Sequence, residues 1–194
     1  MKLMPPYSSG QIPSTTDADL FWMLDTLSRC QRIGRKNLAA TLELGEGSLR
    51  RPLEMLRKSG LVEIYQTGIV ISDEGRGLLK KIPIVPVEMD VPGSVIGEYR
   101  QAVIVKNAGP KITNGQTQRD AGIRMGSEGC TTLVYRNGRL MVPPDWDLDS
   151  RDTMTALEIR KVREFEAGDA AIIGCGDSKR VARNAAVTAA LELI

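Results

Sequence analysis

The segment that most limits what this chain can fold into is IGRKNLAATLELGEGSLRRPLEMLRKSGLVEIYQTGIVISDEGRGLL, residues 33–79. Gly34 is a breaker, and residues 35–44 then place Leu38, Ala39 and Leu42 at helical spacing. Gly45-Glu46-Gly47 interrupts the pattern as a tight interhelical turn would. From Ser48 the apolar set Leu49, Leu53 and Leu56 defines a buried stripe, opposite Ser48, Arg50, Arg51, Glu54, Arg57 and Lys58. Pro52 interrupts that helix unless it begins late, so the expectation is a start near Ser48 with Gly47 or Ser48 as the cap. Gly60 ends the helix. Residues 62–65 and 69–72 are short strands about Gln66-Thr67-Gly68, and Ser72 is placed to cap a closing helix.

Helix, turn, basic helix, hairpin and closing helix is the order of a winged helix-turn-helix. LxxxLxLGEGSLRRxLExLRKSGLVE (38–63) and ISDEGRGLL (71–79) resemble the turn, recognition helix, wing and closing helix of winged-helix transcription regulators. The whole chain resembles a small group of archaeal winged-helix proteins with a C-terminal domain of unknown function. VIVKN (103–107), RDAGIRMGSEGCTTLVYRNGRLMVPPD (119–145) and EAGDAAIIGCGDSKRVARNAAVTAALEL (166–193) carry that likeness. The resemblance implies double-stranded DNA as a partner of the first part and assigns no chemistry to the second. In a winged helix the third helix enters the major groove. Ser48, Arg50 and Arg51 are therefore the candidates for base edges, because a guanidinium fork can bond guanine O6 and N7 together. Arg35, Lys36, Arg57 and Lys58 flank them as phosphate holders. The wing tip, Gln66 and Thr67, is short and uncharged and would touch the duplex lightly. The alternative use of the same surface is contact with a protein.

Charge placement agrees with DNA. The net charge of the 194 residues is only +2, yet residues 29–58 hold 8 basic side chains against 3 acidic ones. With no histidine, Ser-His-Asp and Cys-His catalysis and mixed Cys/His zinc sites are excluded. Three scattered cysteines, Cys30, Cys130 and Cys175, suit a reducing cytoplasm better than a disulfide framework. No cofactor or metal motif stands out: Asp145, Asp147 and Asp149 lack the glycine and glutamate that a calcium loop needs. No apolar run approaches a membrane span, and the start, MKLMPPYSSGQIPSTT, has no apolar signal core and reads as a mobile arm over 1–16.

Residues 17–30 read as a first helix with Leu20, Met23, Leu24 and Leu27 on one stripe, so the winged helix spans 17–82. Pro83, Pro86 and Pro92 make 83–97 a linker with an edge strand at 84–89. Beyond it, 98–194 reads as a small α+β sandwich with a largely antiparallel sheet and helices on one face. Its strands are 99–106, 130–136, 139–142 and 169–174, its helices 114–125, 151–165 and 178–194, and Asn137-Gly138 marks a hairpin.

Gly174-Cys175-Gly176-Asp177-Ser178-Lys179 follows a strand and opens a helix, a place where backbone donors favour an anion. Gly174, Gly176, Asp177, Ser178 and Lys179 are thus candidates for a small anionic metabolite, with Arg119 or Arg124 as a second clamp. Asn107, Gly109, Asn114 and Asp120 gather polar groups near those arginines. A plain glycine turn capped by Asp177 or Ser178 explains the motif as well. The Ala-rich last helix suits close packing, in its own core or across the two-fold axis of a homodimer. The reading is a regulator with a sensing or dimerising second domain, not an enzyme. The rival is a metabolite-binding protein or enzyme whose winged helix serves autoregulation.

Overall fold

A computed structural model describes residues 15–88, 98–162 and 164–194. The expected mobile arm, apart from Thr15 and Thr16, and positions 89–97 of the expected linker lie outside them. The chain divides between Ile82 and Pro83 into two compact units.

In the first unit, α1 (Asp17–Ser28) starts at a capping box. The Asp19 N–H donates to the Thr16 hydroxyl at 3.2 Å, and the Thr16 N–H donates to the Asp19 carboxylate at 2.9 Å. Leu20, Met23, Leu24 and Leu27 are buried, joined by Phe21 and Trp22, whose rings meet edge-on at 5.6 Å. Two further helices follow, α2 (Arg35–Thr41) and α3 (Glu46–Lys58). The turn between them corrects the sequence expectation. It comes earlier, with Glu43 in the left-handed region at φ 47°, and Gly45 is the cap of α3. Pro52 therefore lies well inside the helix rather than near its first turn. It forgoes one backbone donor, but its ring is buried beside Leu49, Leu53 and Leu56, and that burial offsets part of the loss.

Strands β1 (Val62–Tyr65) and β2 (Gly68–Ile71) form the hairpin, with Tyr65 opposite Gly68. Ser72 caps α4 (Asp73–Lys81) by accepting from the Gly75 N–H at 3.0 Å, and its hydroxyl donates to the Gly60 carbonyl at 2.6 Å. One side chain thus ties the end of α3 to the start of α4. The first unit is a winged helix.

The second unit is α+β, built on an antiparallel sheet in the order β3-β4-β8-β5-β6-β7. Its strands are β3 (Ile84–Val87), β4 (Tyr99–Val105), β5 (Gly129–Arg136), β6 (Arg139–Val142), β7 (Trp146–Asp147) and β8 (Ala170–Gly176). Asn137 and Gly138, with φ 52° and 78°, turn β5 into β6, as two left-handed residues must in this tight hairpin. The expected edge strand is built into the sheet: β3 pairs with β4 from Ile84↔Val105 to Val87↔Ala102. Pro86 is tolerated there because an edge strand has a side that needs no donor. Central β8 is buried along its whole length, which is why AAIIGCG reads as a continuous apolar run rather than alternating.

Helices α5 (Gln116–Arg124) and α8 (Lys179–Leu191) cover one face of the sheet. The expectation of helices on a single face is corrected. Leu148 of α6 (Leu148–Arg151) and Ala156 and Ile159 of α7 (Thr153–Val162) join a core with Ile104, Leu133, Ala171 and Ile173 on the other face. The helix expected over 151–165 is α7, set off from the short α6 before it at Asp152, whose carboxylate accepts from the Thr155 N–H at 3.2 Å and starts it. Ala182, Ala185, Ala186, Ala189 and Ala190 are all fully buried within their own unit, so the Ala-rich face is not available for a two-fold contact. No helix among the described residues is long and apolar enough to cross a membrane.

Candidate nucleic-acid interface and ligand residues

The apolar stripe of α3 faces inward, and helical geometry then turns Ser48, Arg50, Arg51, Arg57 and Lys58 outward, where all five are exposed. Arg35 and Lys36, in the first turn of α2, are exposed too, as are Gln66 and Thr67 at the hairpin tip. Arg35, Arg50, Arg51 and Lys58 line one open groove of about 1000 Å³, together with Met55 and Ile64. Four cations around one concavity are the arrangement that concentrates field toward a polyanion.

Arg57 stands apart from the others. Its guanidinium bonds Glu54 through Nη2 at 2.7 Å and Nε at 3.0 Å. That hydrogen bond holds the Glu54 carboxyl below its ordinary range and raises the guanidinium. Among the described residues, Arg57 is the expected phosphate holder that makes an ion pair with an acid.

The wing carries a cation that sequence reasoning missed. Ile33 and Ile69 exchange backbone hydrogen bonds of 3.1 and 2.8 Å, which lays residues 32–33 along β2. Arg32 then stacks its guanidinium 5.1 Å from the centre of the Tyr65 ring and donates to the Thr67 hydroxyl. Gly68, at φ 137°, makes this approach possible: a β-carbon there would come within 2.8 Å of Arg32 Cγ and 2.9 Å of the Ile33 carbonyl oxygen. The uncharged tip expected from Gln66 and Thr67 thus has a cation laid against it from outside the hairpin. An arginine just before a helix-opening glycine, with an exposed tyrosine in the following hairpin, was the available signal.

The second unit assigns its expected ligand residues several different tasks. Gly174 and Gly176 belong to β8, opposite Gln101 and Tyr99, rather than to an open turn. A β-carbon at Gly174 would meet the Ala182 carbonyl oxygen at 2.2 Å and the Ala186 nitrogen at 2.6 Å, and one at Gly176 would meet Val181 at 2.6 Å. These glycines let α8 lie close on the strand. Ser178 is the cap, accepting from the Val181 N–H at 3.3 Å, while Asp177 and Lys179 are exposed beside it. Arg124 pairs with Glu192 at 2.9 Å. Arg119 lines a separate recess with Asn114, Cys130 and Thr132, among whose lining residues none of 174–179 occurs. Cys130 and Cys175 sit on neighbouring strands but face opposite sides of the sheet, because Cys130 pairs with Gly174 and Cys175 with Gly129. Burial pushes the Cys130 thiol up to about 12.

Residues 20–85 match the family model of the CggR N-terminal DNA binding domain. Over 62 residues the chain is 36% identical to the central glycolytic genes regulator of Priestia megaterium (strain DSM 319 / IMG 1521), an alignment covering 32% of this chain and 18% of that protein. The chain thus spans less than a fifth of that relative's length. Among solved structures, hypothetical protein PH0730 from Pyrococcus horikoshii OT3 shares the fold, with a TM-score of 0.70 over 90% of this chain and 91% of that one at 24% identity. Residues 96–193, half of the chain, match the model of a domain of unknown function, DUF4443, and the chain belongs to that family.

Proposed function

We propose that this chain is a sequence-specific DNA-binding transcription regulator of the archaeal two-domain type, acting in the cytoplasm as a homodimer whose second domain senses a small anion. The observation that carries the DNA reading is the groove beside α3, where Arg35, Arg50, Arg51 and Lys58 are gathered and exposed on a unit that matches a DNA-binding domain. In this reading Ser48, Arg50 and Arg51 meet base edges in the major groove, and Arg35, Lys36 and Lys58 meet phosphates. Arg32 brings the wing a charge for the adjacent backbone or minor groove. Arg57 orders the helix surface with Glu54 rather than holding a phosphate.

Dimerisation supplies what one winged helix lacks, since pairing two half-sites multiplies a modest specificity. With the Ala-rich face of α8 internal, Met154 and Leu157 are, among the described side chains, the large apolar ones that α7 leaves exposed, at 68% and 48%. They suit a second copy of the same domain. The test of the function is selection of genomic fragments by the full chain at moderate salt, followed by sequencing. An enriched motif with two-fold symmetry is expected. Recovery of fragments in proportion to their abundance would show that the surface does not read sequence.

A further inference from the structure

Helix α5 begins at Gly115, which takes φ 74° and offers no side chain as a cap. The Asn114 side chain accepts from the Gln116 N–H at 3.0 Å. The next amides, at Thr117 and Gln118, have no acceptor within the helix because of where they lie in its first turn. A cleft of about 430 Å³ opens beside this helix end, between α5, β5 and the residues that close β6. Among the described residues Arg119 is its only charged lining residue and makes no ion pair. Its stem lies over Gly129, where a β-carbon would be 3.5 Å from Arg119 Cγ.

The second observation is independent of the helix end. Thr132 lines the same cleft, is 4% exposed, and its Oγ1 has no hydrogen-bond partner. It sits directly under the N-cap: a β-carbon on Gly115 would lie 3.5 Å from that oxygen. A hydroxyl shut away from water and left unbonded is destabilising, so whatever bonds it there is favoured. Just ahead of β5 the protein does satisfy such a group. The nearby Ser127 hydroxyl, for example, reaches the carbonyls of Gly129 and Cys175 at 2.8 and 2.5 Å. Pro143 also lines the cleft, as does Val142, which packs against the core on the other face. Cys130 completes the lining as a neutral thiol, since burial keeps it protonated.

We infer that this cleft binds a small organic monocarboxylate. The carboxylate takes the two free amides of α5, the Arg119 guanidinium and the Thr132 hydroxyl, and the ligand's apolar body lies against Pro143 and Cys130. One cation and one helix end match a single negative charge, whereas a phosphoryl dianion would be left half-answered. The inference rests on the reading of the second domain as a sensor, and moves the site from the start of α8 to the start of α5.

The experiment uses the full chain with isobutyrate as probe, isobutyramide as its neutral isostere, and inorganic phosphate as the competing anion. Calorimetry should give saturable isobutyrate binding with a Kd on the order of 1 mM, as suits six heavy atoms, and weaker or no binding of the other two. Amide resonances of Thr117 and Gln118 should move with the same isotherm. Arg119→Gln should weaken binding about ten-fold or more. Thr132→Val, which keeps the shape and removes the hydroxyl, should weaken it while leaving the melting temperature of the ligand-free chain unchanged or higher. No saturable binding, binding that survives both substitutions, or tighter binding of phosphate would each overturn the assignment. The sensor reading is separated by measuring operator affinity with and without isobutyrate. Binding in the cleft with unchanged operator affinity supports the site and sinks the sensor. An effect on operator affinity that persists in Arg119→Gln places sensing elsewhere and overturns the site.

Discussion

Lys106 places its ammonium 2.9 Å from the carboxylate of Asp169, a side chain with no exposure to solvent. The same carboxylate accepts from the backbone N–H of Asn107 at 3.2 Å and of Glu166 at 3.1 Å. Three groups from the end of β4 and the approach to β8 therefore converge on one acid, and fix where the central strand begins. A buried carboxylate is tolerable only with that many donors, because its desolvation is otherwise uncompensated.

The first prediction is drawn from this pair. Lys106→Met leaves the carboxylate buried without its counter-charge and should cost about 3 kcal/mol in urea unfolding at neutral pH. The hydrogen bond to Asp169 raises the Lys106 ammonium above its ordinary 10.5. A raised lysine contributes stability that is whole below the unfolded value and lost as pH climbs through the folded one. The full chain should therefore lose stability as pH rises above about 10.5 more steeply than Lys106→Met does. Parallel curves for the two proteins would show that the pair contributes nothing.

A second prediction separates two kinds of cation on the groove. Arg50→Ala should weaken binding to the selected site by about 1–3 kcal/mol and relax preference at one base pair, since it removes a fork that reads base edges. Lys58→Ala should weaken all sequences alike and reduce the salt slope by about one unit. Fluorescence anisotropy over a salt series distinguishes them. Arg57→Ala, whose charge is already met by Glu54, should do less than either. If all three substitutions behave identically, the groove holds the duplex without reading it.

The wing yields a third. Arg32 is held by the Tyr65 ring and the Thr67 hydroxyl, so its charge is presented on an ordered tip instead of a free stem. Arg32→Ala and Tyr65→Ala should each lower affinity for DNA, Tyr65→Ala by releasing the arginine. The double substitution should cost less than the sum of the two, the mark of residues acting together. Additive losses would mean that each touches DNA, or the fold, on its own.

Local signals were readable from the chain where a few adjacent residues decide the outcome. The stripe Leu20-Met23-Leu24-Leu27, the Ser72 cap and the Asn137-Gly138 turn are of this kind. What escaped depends on partners distant in sequence. Gly174 and Gly176 look the same in one dimension whether they flex in a phosphate turn or thin a strand for Ala182 and Ala186. Arg32 joins the wing only because Ile33 pairs with Ile69. Arg119 and Asn114 were legible as candidate polar groups. Their companion Thr132 was not, because it comes from β5 and its unbonded hydroxyl exists only once α5 covers that strand. Pro52 misled for another reason: steric rules place proline at a helix start, and here its ring is buried inside the helix, which offsets part of that cost.

The fourth prediction concerns where the chain can be divided. We propose that residues 1–82 and 83–194 fold independently, since the two units meet between Ile82 and Pro83. Cutting instead at 98, as a linker spanning 83–97 would invite, removes β3. That strand contributes Ile84 and Val87, both nearly buried, and covers the outer edge of β4. It also accepts from the Gln101 side chain through the Val87 carbonyl at 2.9 Å, and Pro83 accepts from the Lys106 N–H at 2.9 Å. Fragment 98–194 should then be less stable than 83–194 by about 3 kcal/mol or more, from the apolar burial alone. It should also self-associate, because the row of β4 groups left unpaired is a template for another strand. Circular dichroism melts and sedimentation of the three fragments decide the matter. Equal melts for 83–194 and 98–194 would make β3 a passenger on the sheet, and an unfolded 1–82 would show that the winged helix borrows its stability from the rest of the chain.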